Sequence, residues 1–407
     1  MDDLRVAYLA EGKLYLHHTG GAEPTEVISR FAQDMIERDL RRRQKDEWKR
    51  GSAGWAATGL PAEAMGLGAA FGEDLDNPET RRVNIVSVAA HPDGEWVYAL
   101  ETDAVGGLFA YDPDQREERR LVHRSEFRVA DLDVHPADGR LACCLAYPDG
   151  SANLAVMDPN GGKLREITEG DSLDQAPSWV AGAPAKIVYQ SAGIARNEHG
   201  HFMEVSPYRV EQLDLESGEH EVLFGDDAYD CMMPRALADG SIFYVRRPYQ
   251  PRREQRVGAW PIVKDILLFP VRLAVAVVAF LNFFSMIFAK KPLITAGGPR
   301  RRGANARQLF LYGRLVETEK ARKNAKRDAD RVVVPDDWEL VRSLPNGKEL
   351  IYATGVGDYA LLPGDAGVVY TDGSHVVHLD ADDRKTRLAK SRIIERVAVL
   401  TGINAKA

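Results

Sequence analysis

A chain of 407 residues has room for one large repeat domain or two to three ordinary ones. Its composition is globular, and a net charge of −8 argues against nucleic acid as a partner, because phosphate binding needs a basic surface. Three cysteines (Cys143, Cys144, Cys231) without a CxxC spacing exclude a disulfide framework and read as small buried hydrophobes.

The opening MDDLRVAYLAEGKLYLHH enters strand-like alternation without the basic and apolar regions of a cleaved signal peptide, so the expected compartment is the cytoplasm. Residues 29–50, SRFAQDMIERDLRRRQKDEWKR, predict a helix with Ser29 as N-cap and Phe31, Met35, Ile36, Leu40 and Trp48 as its apolar positions. A Gly/Ala-rich stretch follows, and 30–82 reads as an insertion. Its basic and aromatic residues Arg41, Arg42, Arg43, Trp48 and Trp55 are a secondary candidate for membrane contact; the competing reading is a solvated helix.

From residue 83 one pattern recurs: an alternating strand, a turn built on Asp-Gly, an apolar strand, a third strand ending in Asp, and a short polar strand. It runs through 83–122, 128–168 and 175–224, begins again as MMPRALADGSIFYVRR at 232–247 and returns at 359–389. A period of about 40–50 residues with four short strands per unit predicts an all-β fold, a β-propeller. The repeats resemble TolB-type propellers, carried best by His91-Pro92-Asp93-Gly94 and His135-Pro136-Ala137-Asp138-Gly139. The resemblance implies the fold and says little of function. The sequence departs from the TolB pattern in lacking a domain before the propeller, so a periplasmic role is not carried over.

The termini read as parts of one blade: RVAYLAEGKLYLHH with TEVIS at 5–29, and IIERVAVL at 393–400. Pairing them closes the ring and removes its open edges. That gives six blades, or seven if WELVRSLPNGKELIYATG at 338–355 forms its own sheet. RQLFLYGRLVE at 307–317 is expected to resume the interrupted fourth blade beside YVRR.

The interruption, 251–306, carries DILLFPVRLAVAVVAFLNFFSMIFAKKP. Residues 251–304 hold ten Lys/Arg against two Asp/Glu, a local +8, leaving −16 for the rest. An apolar run with cationic flanks suits an anionic lipid surface. Departure and return within one blade exclude a single crossing, which favours a monotopic attachment, either a hairpin bent at Pro270 or a helix in the interface. The expected lipid contacts are Trp260, Ile266, Leu267, Leu268, Phe269, Val271, Leu273, Phe280, Leu281, Phe283, Phe284, Ile287 and Phe288. Arg252, Arg253, Arg256, Lys290, Lys291, Arg300, Arg301 and Arg302 are expected at anionic headgroups.

No catalytic, cofactor or metal motif is present: GxSxG, a P-loop and HExxH are all missing. His199-Gly200-His201 reads as a polar loop. His91 and His135 are expected to bond a neighbouring blade. The function expected is a non-catalytic propeller scaffold for protein partners, attached to the cytoplasmic face of a membrane. Two alternatives stand beside it: a soluble subunit with the insertion buried in a partner, and an enzyme with a channel site.

Overall fold

The computed structural model describes residues 4–38 (except 22), 41, 83–251 (except 103 and 104), 309–311, 314–316 and 333–400. The chain divides into two compact units. The first comprises Met1–Ile36, Arg81–Pro251 and Gln308–Ala407, and the second Glu37–Thr80 and Arg252–Arg307. In the second unit the described residues are helical and carry an exposed ion pair, Arg41 to Glu37 at 3.1 Å.

The first unit consists of antiparallel strands joined mostly by tight turns. Strands β1 (Arg5–Ala10), β2 (Lys13–His18) and β3 (Thr25–Val27) pair in sequence. Next come β4 (Asn84–Ala90), β5 (Trp96–Glu101), β6 (Val105–Asp112) and β7 (Glu117–Ser125), a four-stranded meander. A similar run follows in β8 (Val129–Val134), β9 (Leu141–Ala146), β10 (Ala152–Met157) and β11 (Arg165–Glu166). It continues into β12 (Ser172–Trp179), β13 (Lys186–Arg196), β14 (Phe202–Val205), β15 (Arg209–Asp214) and β16 (His220–Phe224). These two runs share one nine-stranded sheet through a single parallel pair, Ala152 with Leu173.

The next sheet takes β17 (Tyr229–Ala236) and β18 (Ile242–Pro248), then skips β19 (Leu309–Leu311) and β20 (Arg314–Val316), which pair only with each other. It is completed by β21 (Glu339–Ser343) and β22 (Glu349–Thr354). A further meander holds β23 (Asp358–Leu361), β24 (Gly367–Thr371), β25 (His375–Asp380) and β26 (Lys385–Lys390). The last strand, β27 (Ile394–Leu400), returns to pair with β1, giving the order β27-β1-β2-β3.

The described strands of the segment 307–317, β19 and β20, therefore do not resume the interrupted sheet; β21 takes the place beside β18. Two residues separate β19 from β20, so that segment folds back on itself, Leu311 against Arg314. Strand β21 offers buried Leu340 and Val341, and Glu339 and Glu349 meet Arg246 at 2.9 and 2.7 Å. The segment 338–355 supplies the outer two strands of this sheet.

Apolar side chains are buried between neighbouring four-stranded runs of the first unit. Trp96, Tyr98 and Phe109 meet Leu9 and Leu14 on one side of the β4–β7 sheet, while Val97 and Leu108 meet Leu132 and Leu141 on the other. The turn glycines Gly94, Gly139 and Gly240 hold φ of 93°, 71° and 80°, the left-handed geometry that makes Gly the residue of choice after Asp.

The helix predicted after β3, α1, is described over 30–38, and its cap is the expected one. The Ser29 hydroxyl accepts the Ala32 N–H at 3.2 Å, and the Glu118 carboxylate of β7 accepts the N–H of Arg30 at 2.9 Å. Phe31 packs on Phe109, whereas Ile36 stays 43% exposed.

Strand register gives the sheets two ends. At one end lie Tyr229 opposite Pro248, Glu339 opposite Thr354, and Leu14 opposite Val27. This is where the chain departs after β3 and β18 and returns to β21; it is called the insertion end below. At the other, the turn end, lie the turns that hold Gly94, Gly139 and Gly240. Neighbouring sheets share this polarity: Ile85 N–H donates to Gly12 O at 2.8 Å, Ile394 N–H to Gly373 O at 2.8 Å, and Tyr249 Oη to Val205 O at 2.5 Å.

Candidate functional site

Six strands (β4, β8, β12, β17, β23 and β27) contribute to one cavity of about 30 Å³. Its wall includes Asp131, Arg235, Asp358 and Arg396, charged residues on otherwise apolar strands. The local cause is a set of β-bulges. Register slips between Gln175 and Ser178 and between Met232 and Arg235, where Ala176 and Met233 adopt φ of 48° and 52° ahead of Pro177 and Pro234. A bulge turns N–H groups out of the ladder, and a buried N–H without a partner costs about 1–3 kcal/mol.

Side chains from adjacent strands take up those groups. Asp131 accepts the Ala176 N–H at 3.1 Å, and Asp133 accepts that of Trp179 at 2.9 Å. Gln190 accepts the Met233 N–H at 2.7 Å, and Asp358 accepts that of Val397 at 2.9 Å. Tyr359 donates its hydroxyl to Met233 O at 2.7 Å. The guanidinium groups complete the set: Arg396 meets Asp131, and Arg235 lies 3.3 Å from both Asp133 and the Ser178 hydroxyl.

Burial pushes the Asp133 carboxyl above the ordinary carboxylate range, against the pull of Arg235 and the Trp179 N–H. Burial likewise raises Asp358, opposed by Arg396. For Arg235 burial disfavours the charge, yet Asp133, Tyr359 and Asp358 outweigh it and hold the guanidinium protonated. The arrangement is chemically self-contained, each carboxylate spent on a backbone N–H or a guanidinium. The cavity has room for one or two waters, far below the ~300 Å³ of a small-molecule site.

No protein-family model and no curated protein matches the sequence. Among solved structures the chain is similar to TolB from Acinetobacter baumannii, with a TM-score of 0.50 and 12% identity, covering 98% of this chain and 67% of that one. The fold is a TolB-like β-propeller. The propeller is also similar, at a TM-score of 0.48 and 6% identity, to a nidogen/laminin complex structure, over 97% of this chain and 98% of that chain. The tricorn protease matches at 0.42 and 12% identity over 78% of this chain, which spans about a quarter (27%) of that enzyme. At such identities the likeness concerns the fold alone.

The expected lipid contacts between Arg252 and Arg302, and Arg42, Arg43, Trp48 and Trp55, lie outside the described residues. Arg41 is described, exposed and paired with Glu37. Among the described residues no helix is long and apolar enough to cross a membrane. His199 and His201 stand in the exposed turn between β13 and β14, their N–H groups donating to Asn197 Oδ1 at 3.0 and 2.9 Å. Among the described residues no cluster of three metal-ligating side chains forms.

The two turn histidines correct their reading. His91 Nδ1 accepts the Asp93 N–H and His135 Nδ1 the Asp138 N–H, both at 3.3 Å, within their own turns. Neighbouring blades meet their rings by packing: His135 sits edge-on to Trp179 at 4.9 Å, and His91 fills the space over Gly139. The axial charges escaped the sequence reading, although Asp131-Leu132-Asp133 and Arg396 within IERVAVL carried a signal. A charge inside apolar alternation on an inner strand must find a buried partner.

Proposed function

We propose a six-bladed propeller, its ring closed by β27 pairing with β1, that acts as a non-catalytic scaffold for protein partners. In this reading residues 251–306 hold it monotopically on the cytoplasmic face of a membrane. Closure is supported by the contacts of β27 with β4 and of β23 with β27, and by the six strands sharing one cavity. The absence of a catalytic role is supported by axial charges engaged with one another.

One observation supports a monotopic rather than a crossing attachment: Arg246 pairs with Glu339 across adjacent strands, so the excursion after β18 starts and ends on neighbouring strands about 5 Å apart. A single passage through ~30 Å of hydrocarbon would strand β21 and everything after it on the far side. The apolar run can therefore enter lipid and must come back.

A specific observation favours a second reading, burial in a protein partner. Outer strand β22 leaves Leu350, Ile351 and Tyr352 between 36% and 55% exposed, and such an edge invites another chain. Fractionation separates the two. A monotopic anchor keeps the protein in the membrane pellet through high salt and releases it into detergent. Recovery in a stoichiometric soluble complex instead supports the partner reading and overturns the anchor.

A further inference from the structure

We infer which end of the ring meets the lipid: the insertion end, with Ile28, Met203 and Tyr229 touching the surface. This inference rests on the membrane attachment proposed above and adds an orientation to it. The topology gives the first argument. In a four-stranded meander the connection from the second to the third strand and the exit from the fourth strand lie at the same end. The interruption between β18 and β21 is of the first kind, and the one between β3 and β4 is of the second. Both long excursions thus leave from one end of the blades.

A second, independent observation lies in the exposed apolar side chains. Among the described residues the large exposed hydrophobics are Ile28, Ile36, Met203, Tyr229, Val222, Leu350, Ile351 and Tyr352. The last four sit on the outer strands β16 and β22. Ile28, Met203 and Tyr229 are at the insertion end, Ile36 is on α1, and none of the four is on a turn at the other end. They also border the points of departure. Ile28 precedes the Ser29 cap, and Tyr229 pairs with Pro248. Met203 neighbours Glu204, whose carboxylate accepts the Tyr249 hydroxyl at 3.3 Å.

Apolar side chains of this kind gain by entering the headgroup boundary and gain nothing from water. The same end carries Glu204, Asp226 and Asp227. It also carries exposed Lys13, Arg128 and Arg209, so its charge is mixed, and this end rests on the surface while the insertion supplies the attachment.

The test places single cysteines on the full-length chain at Met203→Cys and, at the turn end, Glu216→Cys, each labelled with a polarity-sensitive fluorophore. The native cysteines are buried and remain silent. Vesicles of phosphatidylcholine with phosphatidylserine are added, and flotation is measured alongside emission. The label at 203 should brighten and shift to the blue while that at 216 does not change. Flotation with the blue shift at 216, or at neither site, overturns the orientation. Failure to float overturns the attachment itself, and the orientation with it.

Discussion

The axis and the rim of this propeller invert the usual distribution of charge and grease. At the axis, buried Asp131 and half-buried Asp133, Arg235 and Arg396 pair with one another and with bulged backbone. At the rim of one end, Met203, Tyr229 and Ile28 stand in the open. The contrast assigns different work to each region. Axial polar groups are committed to holding blade to blade, which leaves recognition to the periphery. Changes at the axis should then alter stability without altering attachment, and changes at the rim the reverse.

The largest expected effect comes from removing residues 257–304 and joining the ends with a short linker. The protein should move from membrane pellet to supernatant with its thermal midpoint nearly unchanged; a parallel loss of folding would erase the distinction between rim and axis. Next in size is Asp133→Ala, which leaves Arg235 without its carboxylate and the Trp179 N–H without an acceptor. We expect a loss of about 3 kcal/mol in urea unfolding, with membrane sedimentation intact.

A pH series sharpens the comparison through opposite signs. The Asp358 carboxyl is raised by burial, so its ionised form is a penalty present above its folded pKa and relieved as pH falls. Asp358→Asn keeps an oxygen for the Val397 N–H and should gain on the natural protein as pH rises from about 4 to 7. Asp239, at the turn end, behaves the other way. The Ser241 hydroxyl and N–H, helped by Arg342, hold it below the ordinary range, so its contribution is present at neutral pH and lost as pH falls through the lowered value. Asp239→Ala should cost about 0.5–1 kcal/mol at pH 7, a modest figure because the carboxylate is half exposed, and nothing in strong acid. Equal slopes for the two variants would refute the assignment. The smallest effect is expected from Ile351→Lys on the exposed edge strand, within about 0.5 kcal/mol by the same unfolding assay.

Much of this was legible in the residues. Phase-locked Asp-Gly turns and alternating strands announce the blades, and Ser29 three residues before Ala32 announces the cap, because both are local signals. The partner of β18 was not legible. Choosing β21 over β19 depends on Glu339 and Glu349 reaching Arg246 across a long excursion, a non-local pairing that adjacency in sequence misrepresents. The axial network is non-local in the same way: Arg396 and Asp131 lie on strands far apart in sequence, and each alone reads as an anomaly in an apolar strand.

The account turns on where the two flanks of the apolar tract reside. Cysteines introduced at Arg256 and Arg300 in membrane-bound protein, probed with an impermeant maleimide from the side that carries the ring, measure this directly. Both should be labelled from that side. Labelling of one only after the opposite side is opened would mean that the tract passes through, and the attachment described here would be wrong.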